Sequence, residues 1–198
     1  MARDFDELLV RVDEVLDRIN RAGLTLKLEK CDFFAEKVKF LGHIIGRDGR
    51  RPNPEKVAAL TSYKAPKNVK ELQRFLGGMG YWRAYVQGFS EIASPLTDLI
   101  KKDITFYWGQ IQDEAFNELK RRVCENVMLY HFDNKFPIEL HTDAASKVGI
   151  GACLIQIRDG KEQPVEFASR KLSQAEKNYS ISEVEALAVV WAVSKFRT

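Results

Sequence analysis

Two carboxylates in the second half of the chain have the placement that metal chemistry needs. Asp143 closes the apolar run Ile138-Glu139-Leu140-His141-Thr142, and Glu185 falls early in the apolar stretch that ends at Phe196. A carboxylate at a strand end and another on a packed helix can meet across one sheet edge and share divalent cations, as two-metal phosphodiester chemistry requires. The same residues also fit a turn aspartate and a glutamate favoured by a helix dipole, so spacing alone leaves both readings open. Other chemistry is sparse. The chain contains no Asp-Asp pair and no glycine-rich phosphate loop of the Walker type. His43, His131 and His141 are scattered without ligand spacing, and no hydrolytic triad can be built. Cys31, Cys124 and Cys153 are equally dispersed, which excludes a four-thiolate zinc site and suits a reducing compartment.

Charge supplies a second candidate region. The net charge is only +3, but between Arg47 and Arg83 nine cations stand against three anions, with Tyr63, Phe75, Tyr81 and Trp82 among them. A basic block interleaved with aromatics suits phosphate neutralisation together with base or sugar contact. A solvated helix face has the same composition.

The elements that must position these groups follow from periodicity. Phe5, Leu8, Val12, Val15, Leu16 and Ile19 recur at three- and four-residue steps, predicting an amphipathic helix over 4–21 that stops near Gly23. Thr25–Leu28 alternates and Val38–Ile45 is a β-rich run turning through Gly46-Arg47-Asp48-Gly49, so a small β-hairpin region is expected. Asn53-Pro54 opens a short helix that must fail before Pro66, and Asn68-Val69-Lys70-Glu71 has the form of a capping box, starting a helix through Met79. Further helices are expected over 92–100 and 112–123. From Pro137 the period changes: 138–142, 149–157 and 164–169 read as three antiparallel strands, followed by a long apolar helix over 183–196. The longest apolar run, Ala186–Val193, is far short of the roughly 20 residues a bilayer requires, and the acidic start Asp4-Phe5-Asp6-Glu7 does not suit a signal peptide. A soluble, intracellular protein without a membrane partner is expected.

Several separated motifs share one order with a known family. Phe40-Leu41-Gly42-His43-Ile44-Ile45, Pro54-Glu55-Lys56, Asn68-Val69-Lys70-Glu71-Leu72-Gln73-Arg74-Phe75-Leu76-Gly77 and Phe89-Ser90-Glu91-Ile92-Ala93-Ser94-Pro95-Leu96 carry the first half of the likeness. Trp108, Ala115-Phe116, His141-Thr142-Asp143-Ala144, Gly149-Ile150-Gly151-Ala152, Phe167-Ala168-Ser169-Arg170-Lys171-Leu172, Glu176-Lys177-Asn178-Tyr179-Ser180 and Glu185–Val193 carry the second. In this order the chain resembles the Pol polyprotein of gypsy-type LTR retrotransposons, over the end of reverse transcriptase and the start of RNase H.

The resemblance implies an α+β fold: a palm-end hairpin and helical thumb, followed by a truncated RNase H-like β-β-β-α unit. It divides the chain into the palm end with its primer-grip hairpin (1–52), thumb (53–100), linker (101–134) and the N-terminal part of an RNase H-like domain (135–198). It implies nucleic-acid contact at Phe40, Leu41, Gly42 and His43 on the grip, and at Lys70, Gln73, Arg74 and Gly77 on the thumb helix. Asp143 and Glu185 match two RNase H carboxylates, catalytic and metal-holding, with Mg²⁺ as cofactor. The implied partners are an RNA–DNA hybrid or template–primer duplex and the remainder of the polyprotein.

Departures qualify the expectation. The palm aspartates and two further RNase H aspartates of the family are not among these 198 residues, so the chain alone is expected to be inactive. Ala144-Ala145 stands where the family pattern has one alanine. The alternative reading is a degenerate or domesticated, non-enzymatic nucleic-acid-binding remnant.

Overall fold

A computed structural model describes residues 4–197, so the outermost ends of the 1–52 and 135–198 spans lie outside the described residues. The chain forms two compact units, one running to Glu36 and the other starting at Lys37.

The first unit is built on α1 (Phe5–Arg21). Asp4 caps it by accepting the Glu7 N–H at 2.8 Å, and pairs such as Arg21–Asp17 at 2.7 Å run along its polar face. Its end comes where Gly23 turns at φ +70°. The strand expected over Thr25–Leu28 does not form. Leu28–Lys30 instead closes a 3₁₀ turn through the Cys31 N–H to Leu28 carbonyl bond, because alternation without a partner ladder leaves the backbone to bond locally.

In the second unit, the predicted run from Val38 divides into β1 (Lys37–Phe40), β2 (His43–Gly46) and β3 (Gly49–Pro52). Phe40 pairs with His43 across a two-residue turn in which Leu41 and Gly42 both have positive φ, +45° and +80°. That is the I′ geometry matching strand twist. A fourth strand, β4 (Leu129–Tyr130), joins β3 from the segment read as linker, giving the antiparallel order β1-β2-β3-β4. Gly49 makes this pairing possible, since a Cβ there would lie 2.2 Å from the Leu129 carbonyl oxygen.

The helices follow their caps. Asn53 and Pro54 start α2 (Pro54–Thr61), and Asn68 starts α3 (Val69–Tyr81) by accepting the Glu71 N–H at 3.0 Å. The single helix expected over 92–100 is two short ones, α4 (Phe89–Ile92) and α5 (Ser94–Asp98), interrupted where Pro95 lacks an N–H to continue the ladder. After α6 (Gln110–Cys124), these helices close over a core centred on Leu72, Phe75, Met79, Leu96, Leu119 and Leu129, all essentially inaccessible. Phe75 and Phe116 meet there with centroids 4.5 Å apart.

The expected three strands are present and longer than predicted: β5 (Ile138–Ala145), β6 (Gly149–Arg158) and β7 (Lys161–Lys171), antiparallel in that order. The additional alanine is absorbed by β5, where Ala145 pairs with Gly149. The buried Gln156 side chain anchors the approach to β5, accepting the Asp133 N–H at 2.9 Å and donating to the Asp133 carbonyl at 2.5 Å. A full capping box, Ser180 with Glu183, opens α7 (Ile181–Lys195) two residues earlier than its apolar pattern suggests. The sheet is covered on both sides. Ala144, Ile150 and Leu172 meet Val184 and Ala188 of α7 on one face, while Phe167 reaches the helical core from the other.

Candidate nucleic-acid interface and carboxylate site

Amphipathic spacing orients α3. Leu72, Phe75 and Met79 turn into the core, while Lys70, Arg74, Gly77 and Tyr81 recur at steps of four, three and four along the exposed side, with Gln73 beside them. Helix interiors disfavour glycine, yet a Cβ built at Gly77 or Gly80 would meet nothing within 4 Å. Packing within the chain therefore does not account for either glycine. Among the described residues, none of the nine cations from Arg47 to Arg83 forms an ion pair. The basic block is thus an un-neutralised surface rather than one side of a salt-bridge network.

The exposed side of α3 ends at the hairpin tip. Tyr81, the last residue of the helix, donates its hydroxyl to the Leu41 carbonyl. His43 lies in an aromatic cage, stacked 5.3 Å from Tyr81 and 5.6 Å from Tyr85, with Trp82 edge-on at 5.1 Å. Burial, reinforced by the Arg50 charge, lowers the His43 pKa and favours the neutral ring. Burial also pushes the Tyr85 phenol up to about 12, so it remains a donor, placed 2.9 Å from Nδ1 of His43. Phe40 and Leu41 project their side chains outward from this fixed backbone. The sequence-predicted grip residues and helix residues thus lie on adjoining surface, whereas Tyr85 carried no signal of its own beyond aromatic composition.

The carboxylates are disposed differently. Asp143 is exposed and accepts only the Ala144 N–H, at 2.9 Å, while Glu185 is exposed without a hydrogen-bond or ion-pair partner among the described residues. β5 packs directly against α7. Ala144 faces that helix, so strand alternation turns Asp143 to the opposite face, where it lines a cavity of about 250 Å³ with Gln87, Glu91, Gly151, Cys153 and Ser169. No hydrogen bond or ion pair joins Asp143 to Glu185 among the described residues.

Farther along that face, ligand atoms of Glu139, His141 and Glu162 lie within 4.8 Å of one another, and His141 Nε2 is 2.9 Å from the Glu139 carboxylate. Strand alternation from Asp143 could have singled out Glu139 and His141. Glu162 could not have been found without the sheet register. Burial pushes the Cys153 thiol up to about 12, and the Glu162 charge adds to this.

A polar seam holds this sheet face to the helices. Ser169 accepts the Ser90 N–H at 2.9 Å, and Arg83 donates to the Ser169 carbonyl at 2.6 Å. Lys171 reaches the Ser94 carbonyl and Asp98 at 3.1 and 3.0 Å.

This sheet and helix define an RNase H-like unit, and residues 108–198 match the family model described as the RNase H-like domain found in reverse transcriptase. Nearly the whole chain is also similar to transposon polyproteins. It is 37% identical over 192 residues to the Transposon Tf2-3 and Tf2-4 polyproteins of Schizosaccharomyces pombe, a match covering 96% of this chain and 14% of each polyprotein. Among solved structures, the foamy viral protease-reverse transcriptase in complex with RNA/DNA hybrid superposes with a TM-score of 0.79 at 24% identity, covering 98% of this chain and 26% of that one. The same viral protein in complex with dsDNA gives 0.77 at 25% identity, covering 96% and 40%. The mixed helix and sheet architecture therefore matches part of the reverse transcriptase fold, as the motifs implied. Among the described residues, no helix is long and apolar enough to cross a membrane.

Proposed function

We propose that this chain works as the palm end, thumb, linker and initial RNase H part of a retroelement polyprotein, gripping a template–primer or RNA–DNA hybrid duplex during RNA-directed DNA synthesis and RNA cleavage. The domain spans are those the motifs imply: 1–52, 53–100, 101–134 and 135–198. One observation carries the binding role: the exposed side of α3 offers Lys70 and Arg74, without ion-pair partners among the described residues, beside Gly77, where a Cβ would meet nothing within 4 Å. Lys70 and Arg74 would neutralise phosphates, Gln73 would hydrogen-bond, and Gly77 would admit the close approach of a strand. Phe40, Leu41, Gly42 and His43 would hold the primer end. The solved relatives' duplex complexes, named as such, agree with a duplex partner.

For RNA cleavage, Asp143 and Glu185 are the proposed metal carboxylates. Asp143 has oxygen lone pairs left free by its single N–H contact, and hard oxygen donors suit Mg²⁺. The cation would supply Lewis-acid activation of water and phosphate. Two carboxylates leave most of its coordination positions to water or to other groups. The rest of the polyprotein is the proposed partner that completes both active centres.

The test is duplex binding by fluorescence anisotropy across a salt series. With about four phosphates contacted, log affinity should fall with log salt at a slope of about −3 to −4 on B-DNA. Replacing Lys67, Lys70 and Arg74 by glutamine should flatten it, and an unchanged slope would place the contacts elsewhere. A non-enzymatic binding role is the second reading, favoured by the strand alternation that turns Asp143 to the face opposite the one packed on α7, the helix that carries Glu185. Hybrid cleavage by the wild-type chain that Asp143→Asn abolishes would rule that reading out.

A further inference from the structure

We propose that Tyr81 and Tyr85 are positioning residues, locking the hairpin tip onto the C-terminal end of α3 so that tip and helix meet a duplex as one rigid surface. The proposal rests on the duplex-binding reading and names the groups that hold that surface in shape.

The tip cannot be held by its own sequence. A two-residue I′ turn favours Asn-Gly or Asp-Gly, because both central residues need positive φ, yet here a leucine occupies the first position at +45°. Leucine resists that region, so the surroundings must impose it. They do so from three sides. The Leu41 carbonyl accepts the Tyr81 hydroxyl, the Gly42 carbonyl accepts the Asn53 N–H at 2.8 Å, and Nδ1 of His43 is hydrogen-bonded to the Tyr85 hydroxyl at 2.9 Å. Gly42 fits closely: a Cβ there would lie 3.3 Å from the Trp82 ring. The consequence is a fixed backbone from which Phe40 and Leu41, 56% and 69% exposed, project beside the Lys70–Arg74–Gly77 stripe. Tyr85 is only 3% exposed, so its hydroxyl can influence a bound duplex only through His43. Its neutral-ring partnership is consistent with the lowered His43 pKa.

The experiment pairs Tyr85→Phe with Tyr81→Phe in the 198-residue chain. Hydrogen exchange of the Asn53 amide reads the tip, anisotropy with a DNA duplex reads binding, and thermal unfolding reads global stability. Each variant should speed Asn53 exchange and weaken duplex affinity by about five- to tenfold, the worth of one neutral hydrogen bond, with the unfolding midpoint nearly unchanged. Tyr81→Phe guards against a folding defect in the other variant, because Tyr81 is half exposed and its removal of one oxygen leaves the core intact. Unchanged Asn53 exchange would overturn the lock, and faster exchange with wild-type affinity would overturn its positioning role. If the wild-type chain ignores duplex at low salt while its Asn53 amide still depends on Tyr85, the duplex-binding reading fails and the lock is only structural, which also overturns the positioning role.

Discussion

The two faces of the β5-β6-β7 sheet are held by different means. On one, Phe167 joins a core rich in large side chains, and Ser169, Arg83 and Lys171 stitch the strand to the helices with directional bonds. On the other, α7 contributes only Val184, Ala188 and Ala192 as buried residues, while Ile181, Val189, Val190 and Val193 remain exposed on its outer side. A helix apolar all round has enough hydrophobic surface for burial on several sides, but here it has only one. The first face should therefore be stable and specific, and the second weakly attached.

Truncation in the helical core should break this contrast most forcefully. Phe75 is 1% exposed and contacts Phe116, so Phe75→Ala should cost about 3–5 kcal/mol in urea unfolding followed through Trp82. Next comes the polar seam. Ser169→Ala leaves the half-buried Ser90 N–H without its acceptor and should cost about 1–2 kcal/mol. Val184→Ala, on the α7 face, removes two methyl groups beside an already open helix and should cost about 1–2 kcal/mol, read at Trp191. If Val184→Ala matched Phe75→Ala, the asymmetry between the faces would be refuted.

The elements behind this contrast were legible before the structure, but unevenly. Caps gave two helix starts closely, because Asn53 and Asn68 each satisfy an N–H two or three residues on, whereas the Ser180 capping box lay outside the apolar pattern and α7 starts earlier than that pattern suggests. Local rules failed where the decisive partner was remote. Strand β4 has two residues and exists because Gly49 lets another backbone approach, and Pro95 divided a helix whose apolar periodicity ran through it. For the sites, composition and family motifs led to α3, the hairpin tip and the two carboxylates. They could not indicate that Asp143 turns toward Ser169 and Gln87 while Ala144 turns toward α7, since alternation fixes relative faces and only the packed neighbours decide which is which.

A smaller effect belongs to the loop between sheet and α7. Arg170 grips Glu176 with two bonds of 2.8 and 2.9 Å, and with the Ser173 N–H it draws the Glu176 carboxyl from 4.5 down to about 2. A carboxylate whose folded pKa is depressed stabilises the fold above its unfolded value and loses that contribution as pH falls through the folded one. Glu176→Gln should thus cost about 1 kcal/mol at neutral pH, with the difference from wild type shrinking below pH 4.5 and gone near pH 2. A difference that persisted at pH 2 would show that the loop is held by packing instead.

The smallest expected change in stability has the opposite sign, and it bears on function. Nothing lies within 4 Å of a Cβ placed at Gly77, and the position is exposed mid-helix, so Gly77→Ala should stabilise the helical region by about 0.5–1 kcal/mol. Were the glycine an indifferent surface residue, stability would rise and duplex affinity would stay put. If a nucleic-acid strand approaches the helix backbone there, the added methyl group must displace it, and affinity should fall while the unfolding midpoint rises. Gly80→Ala separates the causes, because a Cβ at Gly80 also meets nothing within 4 Å but lies off the Lys70–Arg74–Gly77 stripe, near the helix end, and a smaller stabilisation should come with little loss of binding. Equal losses at both positions would point to a general change in helix dynamics, and no loss at Gly77 would remove the close-approach role assigned to it.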